Sequence, residues 1–408
     1  MTRRVVVTGL GLVTSIGSDV ETFWDALLEG RSGIKPVASF DTKDYSVHIG
    51  GEVTDFTPPA TKSRLDLASV GRASQFAIVA ATRALKDAGI DAERFDPTRA
   101  GVSMGTTSGE PREVETYTDN LLKGDLRAIG PELVTRYPCG SIPASMAAAL
   151  GFAGPNTMIP TACVAGNYAA ANAMEYLRSG AADMMLAGGS DSFSRITYTG
   201  FARLGAIAPE RCQPFDLNRR GMVPGEGAAV LVLEPADLAE RRGARIYAEL
   251  VGYGLSCDAH HMTASHPEGE GAARAMRSAL ADAGVRPEEV DYISAHGTGT
   301  PTNDRLETIS IKRVFGEAAP RIPISSAKSM LGHTMGAASA IETAICALAI
   351  ERSRVPPTIN YETKDPDCDL DYVPNHARER RVNVAMNNAY AFGGNNASLI
   401  LKRYEGGR

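Results

Sequence analysis

Apolar residues fall into two alternating patterns along the chain. Short continuous runs, such as residues 5–9, are typical of strands that are buried on both faces. Between such runs, apolar residues recur at helical spacing, as Phe76 and Val79 do within residues 71–88. Strands that alternate with helices predict an α/β fold with mostly parallel sheets.

The chain repeats itself in outline. Three pairs of similar segments occur in the same order: 84–90 with 279–285, 101–104 with 292–295, and 161–163 with 326–328. Each half also opens with an apolar run, at residues 5–9 and 246–252. We therefore expect a duplicated α/β unit, with one half at residues 1–250 and the other at 251–408.

The composition is that of a large folded protein. With 408 residues, 43% of them apolar and 22% charged, the chain can bury a sizeable core. The formal net charge of −6 argues against a nucleic-acid protein that works through its bulk charge. The sequence has no run of 18 or more apolar residues, so it predicts no membrane span.

The six cysteines are scattered and form no C-x-x-C pair. In a chain of this length, that pattern is typical of reduced thiols and favours a cytoplasmic location. Polar residues and glycines interrupt the first apolar run, which favours a buried strand over a signal peptide. A structural role is the default for five cysteines: Cys139, Cys212, Cys257, Cys346 and Cys368.

Cys163 differs from the other cysteines in its surroundings. It lies in PTACVAG (160–166), and an Ala-rich helical pattern continues to Arg178. A thiol at a helix N-terminus is close to unpaired N–H groups and to the positive end of the helix dipole. Both favour the thiolate, which is the nucleophilic form. The small neighbouring residues would let a substrate carbonyl approach, so we expect a nucleophile here.

Two histidines lie on turns rich in glycine, threonine and serine. His296 is in AHGTGTP (295–301), and His333 ends SSAKSMLGH (325–333). Each could be a metal ligand, a buried structural residue or a catalytic group. Metal binding is the least favoured, because neither histidine belongs to a short-spaced ligand cluster. The histidine-containing segment 258–266 is better interpreted as a surface loop than as a zinc site.

Taken together and in this order, these motifs resemble those of the β-ketoacyl synthases of the thiolase fold. The closer likeness is to β-ketoacyl-[acyl-carrier-protein] synthase II and the type II polyketide ketosynthases. The resemblance implies layers in the order α-β-α-β-α with two mostly parallel sheets. It is carried by TAC (161–163), HGTGTP (296–301), KSMLGH (328–333), PFD (214–216), GMVPGEG (221–227) and AFGGNN (391–396).

The resemblance implies a decarboxylative Claisen condensation in two stages. Cys163 would take an acyl chain as a thioester, and malonyl-carrier would then lose CO2 and attack it to give a 3-oxoacyl-carrier. His296 and His333 would hydrogen-bond the malonyl thioester oxygen. The backbone N–H groups of Cys163 and Phe392 would form an oxyanion hole. Phe201 and Phe392 would gate the acyl tunnel, although either could be an ordinary core residue.

Other roles are also implied by the resemblance alone. Lys328 would support the site electrostatically and pair with Glu342, and the alternative is a plain buried ion pair. Thr298 and Thr300 would contact the phosphopantetheine arm. No organic cofactor or metal is expected, because the substrate carries its own pantetheine and residues 9–14 match a dinucleotide-binding motif only in part.

The implied partners are an acyl carrier protein and a second subunit. The dimer would be a homodimer, or a heterodimer with a chain-length-factor-like subunit. The pathway would be fatty-acid elongation or type II polyketide or polyene synthesis. Two other functions stay open. A non-catalytic chain-length-factor-like subunit would lack the nucleophile, and a coenzyme A-dependent thiolase would use a second cysteine as acid and base.

Two departures from the family pattern concern the substrate entrance. Ala391 replaces the first glycine of the usual GFGG turn, with Tyr390 before it, and a Cβ at this position disfavours positive φ. We therefore expect a stiffer or differently placed gating loop. The basic cluster that would face the carrier is thinner, since Lys62 and Arg64 are separated by serine, and Arg203 would assist them.

Overall fold

The structure is a computed structural model that describes residues 3–57, 65–91, 95–128 and 130–406. Lys62 and Arg64 of the expected carrier-facing cluster lie outside the described residues. The strands are β1 (Val5–Val13), β2 (Lys35–Pro36), β3 (Ile49–Gly50), β4 (Ala100–Gly105), β5 (Asn156–Ile159), β6 (Met184–Asp191), β7 (Gly227–Pro235), β8 (Ala248–Cys257), β9 (Tyr292–Ser294), β10 (Ile324–Ser325), β11 (Arg354–Val355), β12 (Arg378–Glu379), β13 (Val384–Tyr390) and β14 (Asn395–Lys402). The helices are α1 (Val20–Leu28), α2 (Arg72–Asp87), α3 (Pro111–Leu122), α4 (Glu132–Arg136), α5 (Ser141–Leu150), α6 (Ala165–Arg178), α7 (Arg195–Arg203), α8 (Ala236–Arg241), α9 (Glu270–Ala283), α10 (Pro301–Phe315), α11 (Lys328–Leu331) and α12 (Ala338–Arg352).

The long strands form two halves with the same pairing pattern. The order is β5-β4-β6-β7-β1 in the first half and β10-β9-β13-β14-β8 in the second. In each half, the first two pairings are parallel and the last two are antiparallel. A short antiparallel pairing of residues 5–7 with 248–250 joins β1 to β8. The two halves are therefore hydrogen-bonded into one ten-stranded sheet. The duplicated α/β unit is confirmed.

The sheet is mixed, whereas mostly parallel strands were expected from the sequence. Only residues 391–394 connect β13 to β14, and a link this short makes the pair antiparallel, because parallel neighbours need a crossover of a dozen residues or more. The sequence pattern cannot reveal direction in strands buried on both faces. Every residue of β1 and β7 is buried, so neither strand shows the alternation of a half-exposed antiparallel sheet.

The helices form three layers around the two halves of the sheet. α2 and α5 cover the first half, and α9, with α10 packed on it, covers the second. α6 and α12 lie between the halves and contact strands of both. Residues 338–350 of α12 are all buried, as expected for a helix surrounded by protein. The layers therefore follow the expected order α-β-α-β-α, and Cys163 and the segment before α12 meet at the central helices.

The third of the sequence pairs was wrong in detail. A short 3-10 turn that starts at Ala162 leads into α6, and a similar turn that starts at Met335 leads into α12. Both turns begin with a non-glycine residue at a φ of 54°. By this geometry Cys163 corresponds to Gly336 and not to Lys328. A left-handed residue other than glycine leaves no signal in the sequence. From the sequence, Cys163 was therefore paired with Lys328 instead of Gly336.

The boundary between the halves stays a proposal. The position expected from the sequence, residue 250, falls inside β8. We place the boundary instead in residues 242–247, which link α8 to β8. In the part of the chain that the structure describes, we find no helix with both the length and the apolar character that a bilayer span requires.

Candidate active site

A cavity of about 210 Å³ gathers most of the predicted site residues from distant parts of the chain. Lys328 and Glu342 do not line this cavity, and each is 2% exposed. The predicted residues that line the cavity are Cys163, Phe201, His296, Thr298, Thr300, His333 and Phe392. The structure therefore unites a thiol from the first half with two imidazoles from the second.

Cys163 lies in the 3-10 turn just before α6, at the end of the connection from β5. The sequence-based expectation was a thiolate favoured by the helix N-terminus. Burial acts more strongly in the opposite direction and raises the pKa of the Cys163 thiol to about 12, while the positive charge of Lys328 lowers it. The resting group is therefore a neutral thiol, which must lose its proton if it is to act as a nucleophile.

His296 is positioned from behind by a buried carboxylate. Glu307, on α10, accepts hydrogen bonds from the backbone N–H groups of His296 and Gly297, at 2.9 and 2.8 Å. Burial raises the pKa of Glu307 to about 8, and the two backbone hydrogen bonds oppose that rise. For His296, burial and then the nearby charge of Lys328 hold the pKa of the imidazole well below its usual value. The imidazole is therefore neutral.

His333 is also neutral, and its tautomer follows from one contact. Burial and then the charge of Lys328 hold the pKa of His333 well below its usual value. The backbone N–H of Met335 donates to Nδ1 of His333 at 3.2 Å, so the ring proton is on Nε2. The rings of His296 and His333 are 5.4 Å apart between centroids and nearly perpendicular. Two neutral imidazoles thus share one wall of the cavity.

Lys328 and Glu342 form an ion pair between α11 and α12, with Nζ of Lys328 donating to Oε1 of Glu342. Burial raises the pKa of Glu342 to about 7, and Lys328 lowers it. The same Lys328 charge acts on the pKa of Cys163 and of both histidines. The pair was predicted as an electrostatic support, and the action of the Lys328 charge on all three groups is consistent with that role.

The predicted gate residues are in contact. Phe201, at the end of α7, and Phe392 have ring centroids 6.0 Å apart, and Phe392 is 43% exposed. Ala391 has a φ of −143°, which is extended backbone open to any residue. The left-handed positions of this turn are Gly393 and Gly394, at φ of 83° and 78°, so the Cβ of Ala391 is compatible with the backbone. A stiffer or differently placed gating loop stays a prediction.

Hydroxyl groups also line the cavity. The hydroxyls of Thr298 and Thr300 are hydrogen-bonded at 2.9 Å. The segment 258–266, predicted to be a surface loop, contributes Thr263 and Ser265 to the same cavity. In that segment His260 and His266 stack edge to face. Across the described ranges, no three His, Cys, Asp or Glu side chains are placed to hold a metal ion.

Two buried carboxylates near the site were missed by the sequence analysis. Glu307 holds the His296 turn as described, and Asp191, at the end of β6, accepts hydrogen bonds from the backbone N–H groups of Thr107, Ser108 and Gly336. Burial raises the pKa of Asp191 to about 6. The one available signal was the spacing of Asp304 and Glu307, two acidic residues three positions apart that follow a glycine-rich turn. Such a pair is usually a solvated helix face.

The arrangement suits charge stabilisation at a thioester. A thiol can accept an acyl group, and a neutral imidazole can donate one hydrogen bond to a developing oxyanion without adding a formal charge. Burial, with the positive charge of Lys328 as the second cause, keeps both imidazoles neutral. The hydroxyl-lined wall can hold a polar arm that brings substrates to the thiol.

Models of one family match most of the chain. The model "Beta-ketoacyl synthase, N-terminal domain" matches residues 2–239, and "Beta-ketoacyl synthase, C-terminal domain" matches residues 247–362. The 3-oxoacyl-[acyl-carrier-protein] synthase 2 of Coxiella burnetii (strain RSA 493 / Nine Mile phase I) is 42% identical over 411 residues, covering 98% of this chain and 99% of the relative. The enzyme of the same name from Staphylococcus aureus (strain COL) is 41% identical over 409 residues, covering 99% of each.

Solved structures give the same result. The ishigamide ketosynthase/chain length factor superposes with a TM-score of 0.95 and 45% identity, covering 99% of this chain and 100% of that one. A type II PKS ketosynthase, solved with its acyl-carrier protein and bound to the hexaketide, superposes with a TM-score of 0.92 and 36% identity over 99% and 100% of the two chains. Fold, site geometry and sequence agree, and this chain belongs to the β-ketoacyl synthase family of acyltransferases.

Proposed function

We propose that the chain acts as a β-ketoacyl-[acyl-carrier-protein] synthase through an acyl thioester on Cys163. The observation that carries the proposal is the cavity that Cys163 shares with His296 and His333. These groups come from opposite halves of a duplicated fold, and a purely structural role gives no reason for them to share a wall. Cys163 also argues against a non-catalytic chain-length-factor-like subunit.

The first stage is transfer of the acyl group to the thiol. The Cys163 sulfur attacks the thioester carbonyl of the acyl-carrier, a new C–S bond forms, and the bond to the pantetheine sulfur breaks. Because the pKa of Cys163 is about 12, its proton leaves as the bond forms and ends on the released carrier thiol. The backbone N–H groups of Cys163 and Phe392 are proposed to hold the oxyanion.

The second stage is decarboxylation and condensation. Malonyl-carrier binds with its thioester oxygen between Nε2 of His333 and the ring of His296. Loss of CO2 leaves an enolate whose charge falls on these two donors. The enolate carbon attacks the thioester on Cys163, a C–C bond forms and the C–S bond breaks. The released thiolate then takes a proton from solvent, and the product is a 3-oxoacyl-carrier.

The proposed partners follow from the substrates and from one open sheet edge. Both acyl groups arrive on the pantetheine of an acyl carrier protein, and Thr298 and Thr300 line the wall where that arm would lie, so no further cofactor is invoked. β5 pairs with β4 on one side only and forms an edge of the sheet. We propose that this edge meets a second subunit, either another copy or a chain-length-factor-like relative, in the cytoplasm.

Intact-mass measurement of acyl loading tests the nucleophile. Wild type incubated with an acyl-carrier gains the mass of one acyl group, and Cys163→Ser gains none. Cys257→Ser, a change at an exposed cysteine, loads like wild type and is the matched control. Product formation by Cys163→Ala in a reconstituted pair would instead assign the chain a non-catalytic role.

The same condensation serves fatty-acid elongation and type II polyketide or polyene synthesis. Malonate consumption measured with saturated and polyunsaturated primers of several lengths separates the pathways. An elongating fatty-acid enzyme uses saturated primers best, whereas a polyene synthase prefers unsaturated ones. Acetyl transfer from coenzyme A without CO2 release would point to a thiolase.

A further inference from the structure

Tyr390 has a buried hydroxyl group without a partner. The residue ends β13 and is 6% exposed, and its Oη makes no hydrogen bond to any described residue. Its ring stacks edge to face on His296, with centroids 5.6 Å apart. A buried phenol that stays unpaired is costly, because its hydroxyl has lost its hydrogen bonds to water. The structure therefore requires something to satisfy this group.

A second, smaller cavity lies behind the Tyr390 ring, away from Cys163. Tyr390 lines both cavities, but Glu307 and Asp258 line only the smaller one. Burial raises the pKa of the Tyr390 hydroxyl well above its usual value, and negative charge on Glu307 and on Asp258 adds to that rise. Tyr390, Glu307 and Asp258 all line the smaller cavity. The space open there is about 10 Å³. By the same measure, that is the size of one water molecule.

The groups around this space are those that a buried water needs. A buried water is held by two to four polar partners. Tyr390 can donate one hydrogen bond to it, and the water can donate one to Asp258. The pKa of about 8 leaves Glu307 largely protonated at neutral pH, so its carboxyl group can donate to the water or accept from it. Each carboxylate has acceptor capacity left, since Glu307 binds two backbone N–H groups and Asp258 binds Asn396 and the backbone of His266.

We propose that the cavity behind Tyr390 holds one ordered water molecule that links the phenol to Glu307 and Asp258. Tyr390 is thereby a positioning residue for His296. It fixes one face of the imidazole by ring contact, and it fixes Glu307, which holds the His296 backbone, through the water. This inference rests on the proposed role of His296 and adds a hydrogen-bonded layer behind that residue.

A high-resolution crystal structure of the full chain tests the water directly. We expect density for one water at about 2.7–3.2 Å from Oη of Tyr390 and from a carboxylate oxygen of Glu307. A dry cavity overturns the proposal, and so does a direct hydrogen bond from Tyr390 to either carboxylate.

The sign of a stability change gives a second test. With the water in place, Tyr390→Phe removes a hydrogen bond and lowers the melting temperature by about 1–2 °C. Without the water, the same change removes an unsatisfied hydroxyl and raises the melting temperature. A rise therefore overturns the proposal.

The positioning role is tested by the kinetics of the two stages. In Tyr390→Phe we expect unchanged acyl loading of Cys163 and about fivefold slower malonyl decarboxylation at an unchanged KM. The matched control is Tyr247→Phe, which loses a hydrogen bond of 2.9 Å to Asp87, and neither of these residues lines either cavity. It should lose stability without slowing decarboxylation, and equal rates in the two variants would overturn the role of Tyr390.

The proposed function fails on a different result. Normal condensation by His296→Ala would remove the role of that imidazole. A dry cavity in an enzyme that His296→Ala inactivates would overturn only the inference about Tyr390.

Discussion

In each half of the molecule, a similar 3-10 turn leads into the central helix. The halves differ in the segment that joins the preceding strand to that turn. In the first half, two residues join β5 to the turn that carries Cys163. In the second half, nine residues, 326–334, join β10 to the equivalent turn at Gly336. The longer link contains α11 and brings in Lys328 and His333. The two halves thus share a backbone plan, and the unequal links place the proposed catalytic groups differently in each half.

The equivalent positions also differ in the space around them. Cys163 carries a side chain into the cavity, whereas a Cβ at Gly336 would lie 2.6 Å from the backbone of Thr106. The Gly336 N–H instead donates to Asp191 at 2.8 Å, which ties the second turn to the loop after β4. One turn presents the proposed nucleophile, and its counterpart serves as a close packing contact.

Removing the charge that the longer link contributes should have the largest effect. In Lys328→Met, Glu342 is left in a buried site without its cation, and we expect the free energy of unfolding in urea to fall by about 3 kcal/mol. The double variant with Glu342→Gln should recover part of that loss. If Lys328→Met unfolds like wild type, the ion pair between Lys328 and Glu342 does not stabilise the fold.

Adding one methyl group at the glycine turn should cost less. Gly336→Ala forces Thr106 to move, and we expect the unfolding free energy to fall by about 2 kcal/mol. Gly200→Ala in α7 is the matched control, since its Cβ would meet nothing within 4 Å. That change should be neutral or slightly stabilising. If both variants unfold alike, the proposed difference in packing between the two turns is wrong.

The pH dependence of alkylation should show the neutral thiol. With a pKa of about 12, Cys163 gains thiolate with each pH unit, so its rate with iodoacetamide should rise about tenfold per unit from pH 7 to 10. Peptide mapping assigns the label to Cys163. Because Lys328 lowers that pKa, Lys328→Met should be slower at every pH. A plateau below pH 8 would indicate a stable thiolate and contradict the account.

The smallest effect is expected at the substrate entrance. Ala391 has an extended backbone, so Ala391→Gly relieves no strain and only adds freedom to the unfolded chain. We expect a loss of less than about 1 kcal/mol in unfolding free energy and primer preferences within about twofold of wild type. A large gain in activity toward longer primers would restore the idea that this Cβ sets the gate.

The sequence predicted the parts of the site that are built on turns. His296 and His333 could be found because glycine and threonine mark the loops that hold them. Cys163 could be found because TAC is followed by the Ala-rich pattern of α6. Glu307 and Asp191 could not be found, because an inward-facing acidic residue has the same local pattern as a solvated one. Their role depends on backbone N–H groups from distant segments, which no local pattern records.

The fold was predicted at the level of elements rather than pairings. The helix expected at residues 71–88 is α2, and the Ala-rich pattern that ends at Arg178 is α6. The antiparallel pairs were missed, because buried strands look alike in either direction. The equivalence of Cys163 and Gly336 was missed, because a left-handed backbone at Met335 has no signature in its side chain.

The most direct test of the division of labour is His333→Ala followed through both stages. We predict acyl loading of Cys163 at the wild-type rate by intact mass, and no release of labelled CO2 from malonyl-carrier above background. Condensation at the wild-type rate, or loss of acyl loading together with decarboxylation, would contradict the claim that the longer link of the second half supplies the group for the second stage alone.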